Sequence, residues 1–342
     1  MAITSKKLIV GFTANDRVKT YTVPAGVTST VTAYLWGAGG GGGGSDSAVG
    51  GNGAAGGLTK AVFQIAAGDV ITVGVGRGGT GGRSRASSAA GGTGGGAIGA
   101  VGEAIYSGGN GGHAGPSGSS GGGGAGGGAT VLAVGTTVVA VAGGGGGGGG
   151  AGNVGAATGK DATNVPSTQT SNSAGQNGQN KSGDGGGGGG GGYFGGLGGS
   201  TPGGDVGANG GQMGANWYNP SVATGQKFNG TGVAPSIGTS GYDIGTYATG
   251  GARSTSSAAA SSGSDGYVVL EFEYIPLPRF KGADGWQQFT NAYVKFFNGW
   301  KQVSNMFVKV NGRWKSVVGL DQIEFTNLAA GVKWIAGGQR SY

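Results

Sequence analysis

The chain has no cysteine and one histidine, and its charged residues are only 10 % of the total. Without cysteine there is no disulfide and no thiolate metal site. His113 alone builds no metal centre. With Ser117 or Ser119 it makes only a dyad with no orienting acid, and an exposed loop position beside Pro116 accounts for it. The carboxylates do not pair into a cleft: Asp161 and Asp184 lie in polar loop, and Glu271 and Glu273 read as the outward face of a strand. No apolar run approaches the roughly 18 residues of a membrane span. Met1–Phe12 holds only the short patch Leu8-Ile9-Val10, too little for the apolar core of a signal peptide. From these absences we expect no enzyme, no metal, no cofactor and no membrane insertion, with synthesis and assembly in a cytoplasm.

What is present instead is glycine: 92 of 342 residues, or roughly 27 %, against about 7 % in ordinary proteins. It is concentrated in the runs Gly39–Gly44, Gly143–Gly150 and Gly185–Gly192. Collagen is excluded, because no Gly-X-Y period runs through the chain and proline numbers only 8. Disorder is opposed by the scarcity of charge. Ordering each backbone residue costs about 1–2 kcal/mol, and glycine buries no side chain in return. Only backbone hydrogen bonds, at about 0.5–1.5 kcal/mol net each, are left to offset that cost. Extended threefold helices have no internal hydrogen bonds, but bare ones pack closely enough to bond sideways. The expectation is a lattice of glycine helices held at its edges by strands.

The net charge of +7 is unevenly placed. Residues 1–35 carry 4 basic and 1 acidic residue, 36–274 carry 8 and 10, and 275–342 carry 9 and 3. The glycine-rich body has no basic stripe, so nucleic acid is not an expected partner.

Residues 5–36 read as β, interrupted by the turn Pro24-Ala25-Gly26, and 58–64 and 70–76 continue the pattern. Ala129–Val134 and Thr136–Val141 read as a hairpin about Gly135. Gly266–Tyr274 is apolar enough to lie against the first strands. The fold expected is all-β: a small β-sandwich with projecting glycine helices over residues 1–274, carrying insertions at 77–90, 160–182 and 193–248. Residues 275–278 (Ile-Pro-Leu-Pro) read as a linker. Residues 279–342 read as a C-terminal β-hairpin repeat module of about 14-residue period, seen in Tyr293–Val303 and Phe307–Val317. Each of these two units carries an Asn-Gly hairpin signal. Trp286 and Trp334 belong to degenerate copies, and the lysines of the module read by default as a solvated face.

Motif matches are weak. Gly74-x-Gly76-x-x-Gly79 follows a strand, but no helical pattern opens after it as a dinucleotide site requires. Gly159-Lys160 fails the phosphate-loop pattern, with Val154 and Asp161 at its ends. The polar stretch 163–182 is either glycan-binding or an inert loop. Tyr193, Phe194, Trp217, Tyr218, Tyr242 and Tyr247 come from segments flanked by glycine. Aromatics dominate binding hot spots, so these are the candidate receptor-binding residues. The alternative is that they cap the glycine lattice and shield it from water.

Four ordered stretches carry a resemblance. Tyr21–Val27 with Leu35–Gly40, Gly68–Gly76, Ala129–Gly150 and Ser264–Phe272 together resemble the glycine-rich domain of bacteriophage tail-fibre and minor tail proteins, over about residues 10–274. The tandem Val308–Lys315 motif also looks like C-terminal repeats of phage virion proteins. The resemblance implies a sandwich of polyglycine-II helices in a virion protein assembled in the host cytoplasm. In long tail-fibre adhesins of this type, loops at the distal tip bind a bacterial surface receptor, an outer-membrane protein or polysaccharide. Those adhesins have a separate N-terminal docking module, whereas here the glycine domain begins almost at Met1, so the C-terminal module is the expected attachment to other fibre or tail proteins. The alternative is a purely structural virion protein: fibre, collar or capsid decoration. Fibres are commonly trimers, though no heptad here would set a homo-oligomer.

Overall fold

The computed structural model describes residues 6–14, 18–23, 27–85, 89–98, 103–115, 120–152, 161–166, 174–180, 183–202, 206–230, 233–235 and 247–274, together with short strands between 279 and 316. The 275–278 linker and Trp334 lie outside the described residues. The strands of the body are β1 (Lys6–Thr13), β2 (Val18–Thr22), β3 (Val27–Trp36), β4 (Leu58–Gln64), β5 (Val70–Gly76), β6 (Ala97–Ile98), β7 (Thr130–Val134), β8 (Thr137–Ala142), β9 (Thr163–Pro166), β10 (Gln212–Met213), β11 (Trp217–Tyr218), β12 (Ala223–Phe228) and β13 (Tyr267–Tyr274). Among the described residues there is no α-helix, only a 3-10 turn at Glu103–Tyr106.

Two antiparallel five-stranded sheets form the sandwich. One runs β1-β13-β3-β4-β12 and the other β11-β8-β7-β5-β2, with β6 paired to β5. The final strand β13 inserts between β1 and β3, Phe12 opposite Val268 and Leu35 opposite Val268 from the other side. Period-2 alternation sets the core: Val31, Ala33 and Leu35 point inward with Val268, Leu270 and Phe272, against Ile71, Val73 and Leu132 of the facing sheet. The residues between them, Tyr34, Trp36 and Val269, point to the outer face and make a second cluster. The β7–β8 hairpin turns at Gly135, whose φ of 56° is left-handed and therefore favours glycine.

At their ends the strands run into glycine segments, and the hydrogen bonding changes from period 2 to period 3. Residues 121–129 show it most fully. Gly121, Gly124 and Gly127 donate their N–H to Ala151, Gly148 and Gly145; Gly122, Ala125 and Gly128 to Arg83, Thr80 and Arg77; Gly123, Gly126 and Ala129 to Gly112, Gly109 and Tyr106, all at 2.8–3.0 Å. The carbonyls of the same segment accept from Ala38, Gly41 and Gly44, from Gly92 and Gly95, and from Gly185, Gly188 and Gly191. One segment thus bonds to six neighbours, every third residue facing the same one. Residues 37–44 repeat the arrangement, donating to 51–57, 122–128 and 261–264 and accepting from 79–82, 145–148 and 251–254.

These glycines are required for size. The described lattice glycines lie outside the left-handed region, which holds only Gly68, Gly135 and Gly207 among described glycines. A Cβ on Gly40 would overlap the carbonyl oxygen of Gly146, and one on Gly147 that of Gly124. At the lattice edge every third residue faces water and carries a side chain. Gly78-Gly79-Thr80-Gly81-Gly82-Arg83 and Gly108-Gly109-Asn110-Gly111-Gly112-His113 expose Thr80, Arg83, Asn110 and His113.

Beyond residue 278 the described strands form three antiparallel hairpins: β14 (Arg279–Gly282) with β15 (Gly285–Gln288), β16 (Tyr293–Phe296) with β17 (Gly299–Gln302), and β18 (Phe307–Val310) with β19 (Arg313–Ser316). Each places a lysine opposite a tryptophan: Lys281 and Trp286, Lys295 and Trp300, Lys309 and Trp314.

Candidate functional site: an aromatic cleft at the sandwich edge

Three of the six candidate aromatics, Tyr193, Phe194 and Trp217, come together where the chain passes from the lattice to the sheets, and a fourth, Tyr218, lies next to them in sequence on the other face. Backbone bonds clamp residues 193–194 to Ala215: Tyr193 N–H donates to the Ala215 carbonyl at 3.0 Å, and Ala215 N–H to the Phe194 carbonyl at 2.9 Å. Two residues on, Trp217 and Tyr218 form β11 and pair with Val141 and Ala140 at the edge of the second sheet. Alternation then sends the two rings to opposite faces. Trp217 stacks on Tyr193 with centroids 4.1 Å apart and planes within 7°, and Phe194 meets Tyr193 edge-on at 4.8 Å. Tyr193 and Trp217 pack against Tyr106, Ala129, Val131 and Val141. Tyr218 instead packs against the core between the sheets.

The next residues turn sharply. Asn219 donates its backbone N–H to Val139 and accepts from Ala223 N–H through its carbonyl, while its side chain accepts from Ser221 N–H. The chain thereby crosses from the second sheet to β12, which pairs with β4 at the edge of the first. The stretch 217–228 forms one edge of each sheet.

Asn216 is the pivot. Its buried side chain accepts the Gly143 N–H at 2.7 Å and donates to the Phe228 carbonyl at 3.0 Å and the Asn229 side-chain oxygen at 3.4 Å. It ties the Gly143–Gly150 run to β12. Around it lies a cleft of about 390 Å³ lined by Tyr193, Phe194, Ala215, Asn216, Trp217, Lys227 and Asn229. The Lys227 ammonium sits 6.0 Å from the Tyr218 ring centroid.

Tyr247 lies elsewhere. It stacks on Tyr267 at 4.8 Å and 7°, next to Trp36, whose indole N–H donates to the Pro235 carbonyl at 2.9 Å. This is the outer face of the first sheet, so Tyr247 covers the sandwich away from the cleft. Tyr242 falls outside the described residues. Burial pushes the pKa of Tyr267 up, helped by Tyr247, and that of Tyr106 up, helped by Tyr193. Tyr34 is raised by burial and then by the charge and hydrogen bond of Glu271.

Sequence reasoning did not single out Asn216 or Lys227, and met Asn229 only as the first residue of a glycosylation sequon, Asn229-Gly230-Thr231. The available signal was the run Ala223–Phe228, a polar strand directly after an aromatic pair and an Asn-Pro turn. The polar stretch after 160 is in part lattice edge: Gly175 and Gly178 are buried, and the Asn177 and Asn180 side chains accept the backbone N–H of Asn110 and His113 at 2.8 and 2.7 Å. Asp161 likewise accepts the Asn52 N–H, and buried Asp184 the Gly207 N–H, each at 2.6 Å. Among the described residues no group of three or more His, Asp or Glu side chains is placed to hold a metal ion, and no helix is long and apolar enough to cross a membrane. The chain matches no protein-family model and no curated protein.

Proposed function

We propose that this protein is a non-enzymatic bacteriophage virion component, a fibre or tail adhesin that binds a host-cell surface receptor during adsorption. Its glycine-rich body is a polyglycine-II sandwich, and residues 279–342 are a repeat module that joins it to other virion proteins. The observation that carries the reading is the period-three bonding of residues 121–129 to six neighbouring segments. Three residues per turn with no internal bonds is the geometry of an extended threefold helix, and a sandwich of such helices is what the resemblance to tail-fibre proteins implies. A lattice of this kind is a stiff mount that tolerates variation wherever a segment leaves it, which suits a variable recognition surface. The aromatic cleft between residues 193–194 and β11 is such a place. The shared lysine–tryptophan register of the three hairpins supports a repeat that includes Trp286.

The test is gold-tagged antibody against residues 155–250 on intact virions, read by electron microscopy. Gold at free fibre or tail tips is the expected result. Gold along a shaft, collar or head, or only after particles are disrupted, would establish the second reading, a structural virion protein. That reading is favoured by one observation: Tyr193, Trp217 and Tyr247 spend much of their surface on their own fold.

A further inference from the structure

We infer that the cleft between residues 193–194, β11 and β12 binds an acidic sugar unit of a bacterial envelope polysaccharide; this rests on the adhesin reading and names its ligand. The cleft's volume of about 390 Å³ lies within the range of about 300–1,000 Å³ typical of ligand pockets. Its polar groups divide into spent and unspent. On its wall the Tyr193 N–H, the Phe194 carbonyl and both backbone groups of Ala215 bond to one another. Asn216 has its oxygen on Gly143 and its nitrogen on Phe228. These groups already have partners, so a ligand in the cleft is met mainly by side chains. What remains is the outer part of the half-buried rings of Tyr193, Phe194 and Trp217, the amide nitrogen of Asn229 and the ammonium of Lys227. Lys227 is exposed, and no carboxylate among the described residues pairs with it.

That set describes its ligand. Rigid aromatic rings offer contact area at low entropy cost and suit the C–H face of a pyranose. A side-chain amide donates to a hydroxyl. An ammonium at the rim that has no carboxylate partner takes one from the ligand, in a charge-assisted bond roughly twice as strong as a neutral one. A neutral sugar leaves the lysine unused, and a bare carboxylate leaves the rings uncovered.

The experiment is a saturation-transfer NMR titration of the full chain with glucuronate, galacturonate and N-acetylneuraminate, against glucose, galactose and acetate. At least one acid sugar should saturate, with glucose, galactose and acetate about tenfold weaker. Lys227→Gln should weaken the acid sugar about tenfold without moving Tm, and Trp217→Phe, which keeps a ring in place, should retain part of the binding. The proposal is overturned if no acid sugar saturates, if Lys227→Gln leaves affinity unchanged, or if acetate binds as well as the sugars. Adsorption to cells that the virion infects separates the two levels. If the protein binds those cells and acid sugars neither bind nor compete, the adhesin reading stands and this one falls. If an acid sugar saturates while the protein binds no cells, the site stands and the adhesin reading falls.

Discussion

The sandwich and the glycine lattice are two solutions to the same problem in one chain. In the sandwich, Leu35, Leu132, Leu270 and Phe272 remove apolar surface from water, and the backbone bonds follow from the strands. In the lattice, Gly121–Gly128 have almost no side chain to bury, and order comes from giving each N–H and C=O a partner on another segment. The core is held by a non-directional force and tolerates repacking. The lattice depends on close approach of backbones and tolerates no added atom inside. The comparison therefore predicts opposite sensitivities in the two regions.

The largest effect should come from Gly147→Val. Its Cβ would overlap the Gly124 carbonyl, and that segment is fixed on all sides. We expect destabilisation of about 4 kcal/mol or more, seen as insoluble protein or a Tm lowered by about 10 °C or more. A soluble variant with unchanged Tm would remove the packing argument. Leu270→Ala in the sandwich should cost about 2–5 kcal/mol, measured by chemical denaturation. If the two regions unfold independently, the Leu270 variant will melt in two steps and Gly147→Val will spare the sheets; a single transition in both would show one cooperative unit. Asn216→Ala sits at the junction and should cost about 1–3 kcal/mol, because the Gly143 N–H loses its acceptor in a buried place.

A smaller effect separates the regions by pH. Tyr34, Tyr106 and Tyr267 border the sheets, and burial raises their pKa above the ordinary value near 10. The unfolded chain then ionises first, so the stability from these tyrosines is complete below pH 10 and is lost as pH rises from there through their folded values. Melting temperature between pH 8 and 11, with phenolate absorbance read alongside, checks this; a Tm that holds or rises above pH 10 would contradict it. The smallest effect should be His113→Ala, an outward lattice position, with Tm shifted by no more than about 1 °C.

Much of the sandwich was legible because its strands obey period 2: β3, β4, β5, β7, β8 and β13 all fall where alternation and turn residues put them. Lateral bonding between the glycine segments was legible in kind, from runs that nothing else could stabilise. Its extent was not. The triplet Gly-Gly-X in 78–83 and 108–113 marks two inward faces and one outward one, but it is interrupted too often to read as a period, and the 77–90 stretch looked like an insertion. The aromatic residues were visible as a set, yet sequence gives no sign that Trp217 would join Tyr193 while Tyr247 crossed to the outer face of the other sheet. That separation follows from β11 and β12 closing opposite sheets, and neither short edge strand announces itself. Lys227 escaped because a lysine in a polar strand has the appearance of a solvated residue until the turn at Asn219 folds it back beside the rings.

The most direct measurement is amide hydrogen exchange, residue by residue, across Gly121–Ala129. Every N–H of this glycine-dominated segment has a carbonyl partner on a different segment, so protection should match that of β3 and β13 in the core. Exchange at the rate of an unfolded peptide through these residues, with the strands still protected, would mean the glycine body is not a hydrogen-bonded lattice.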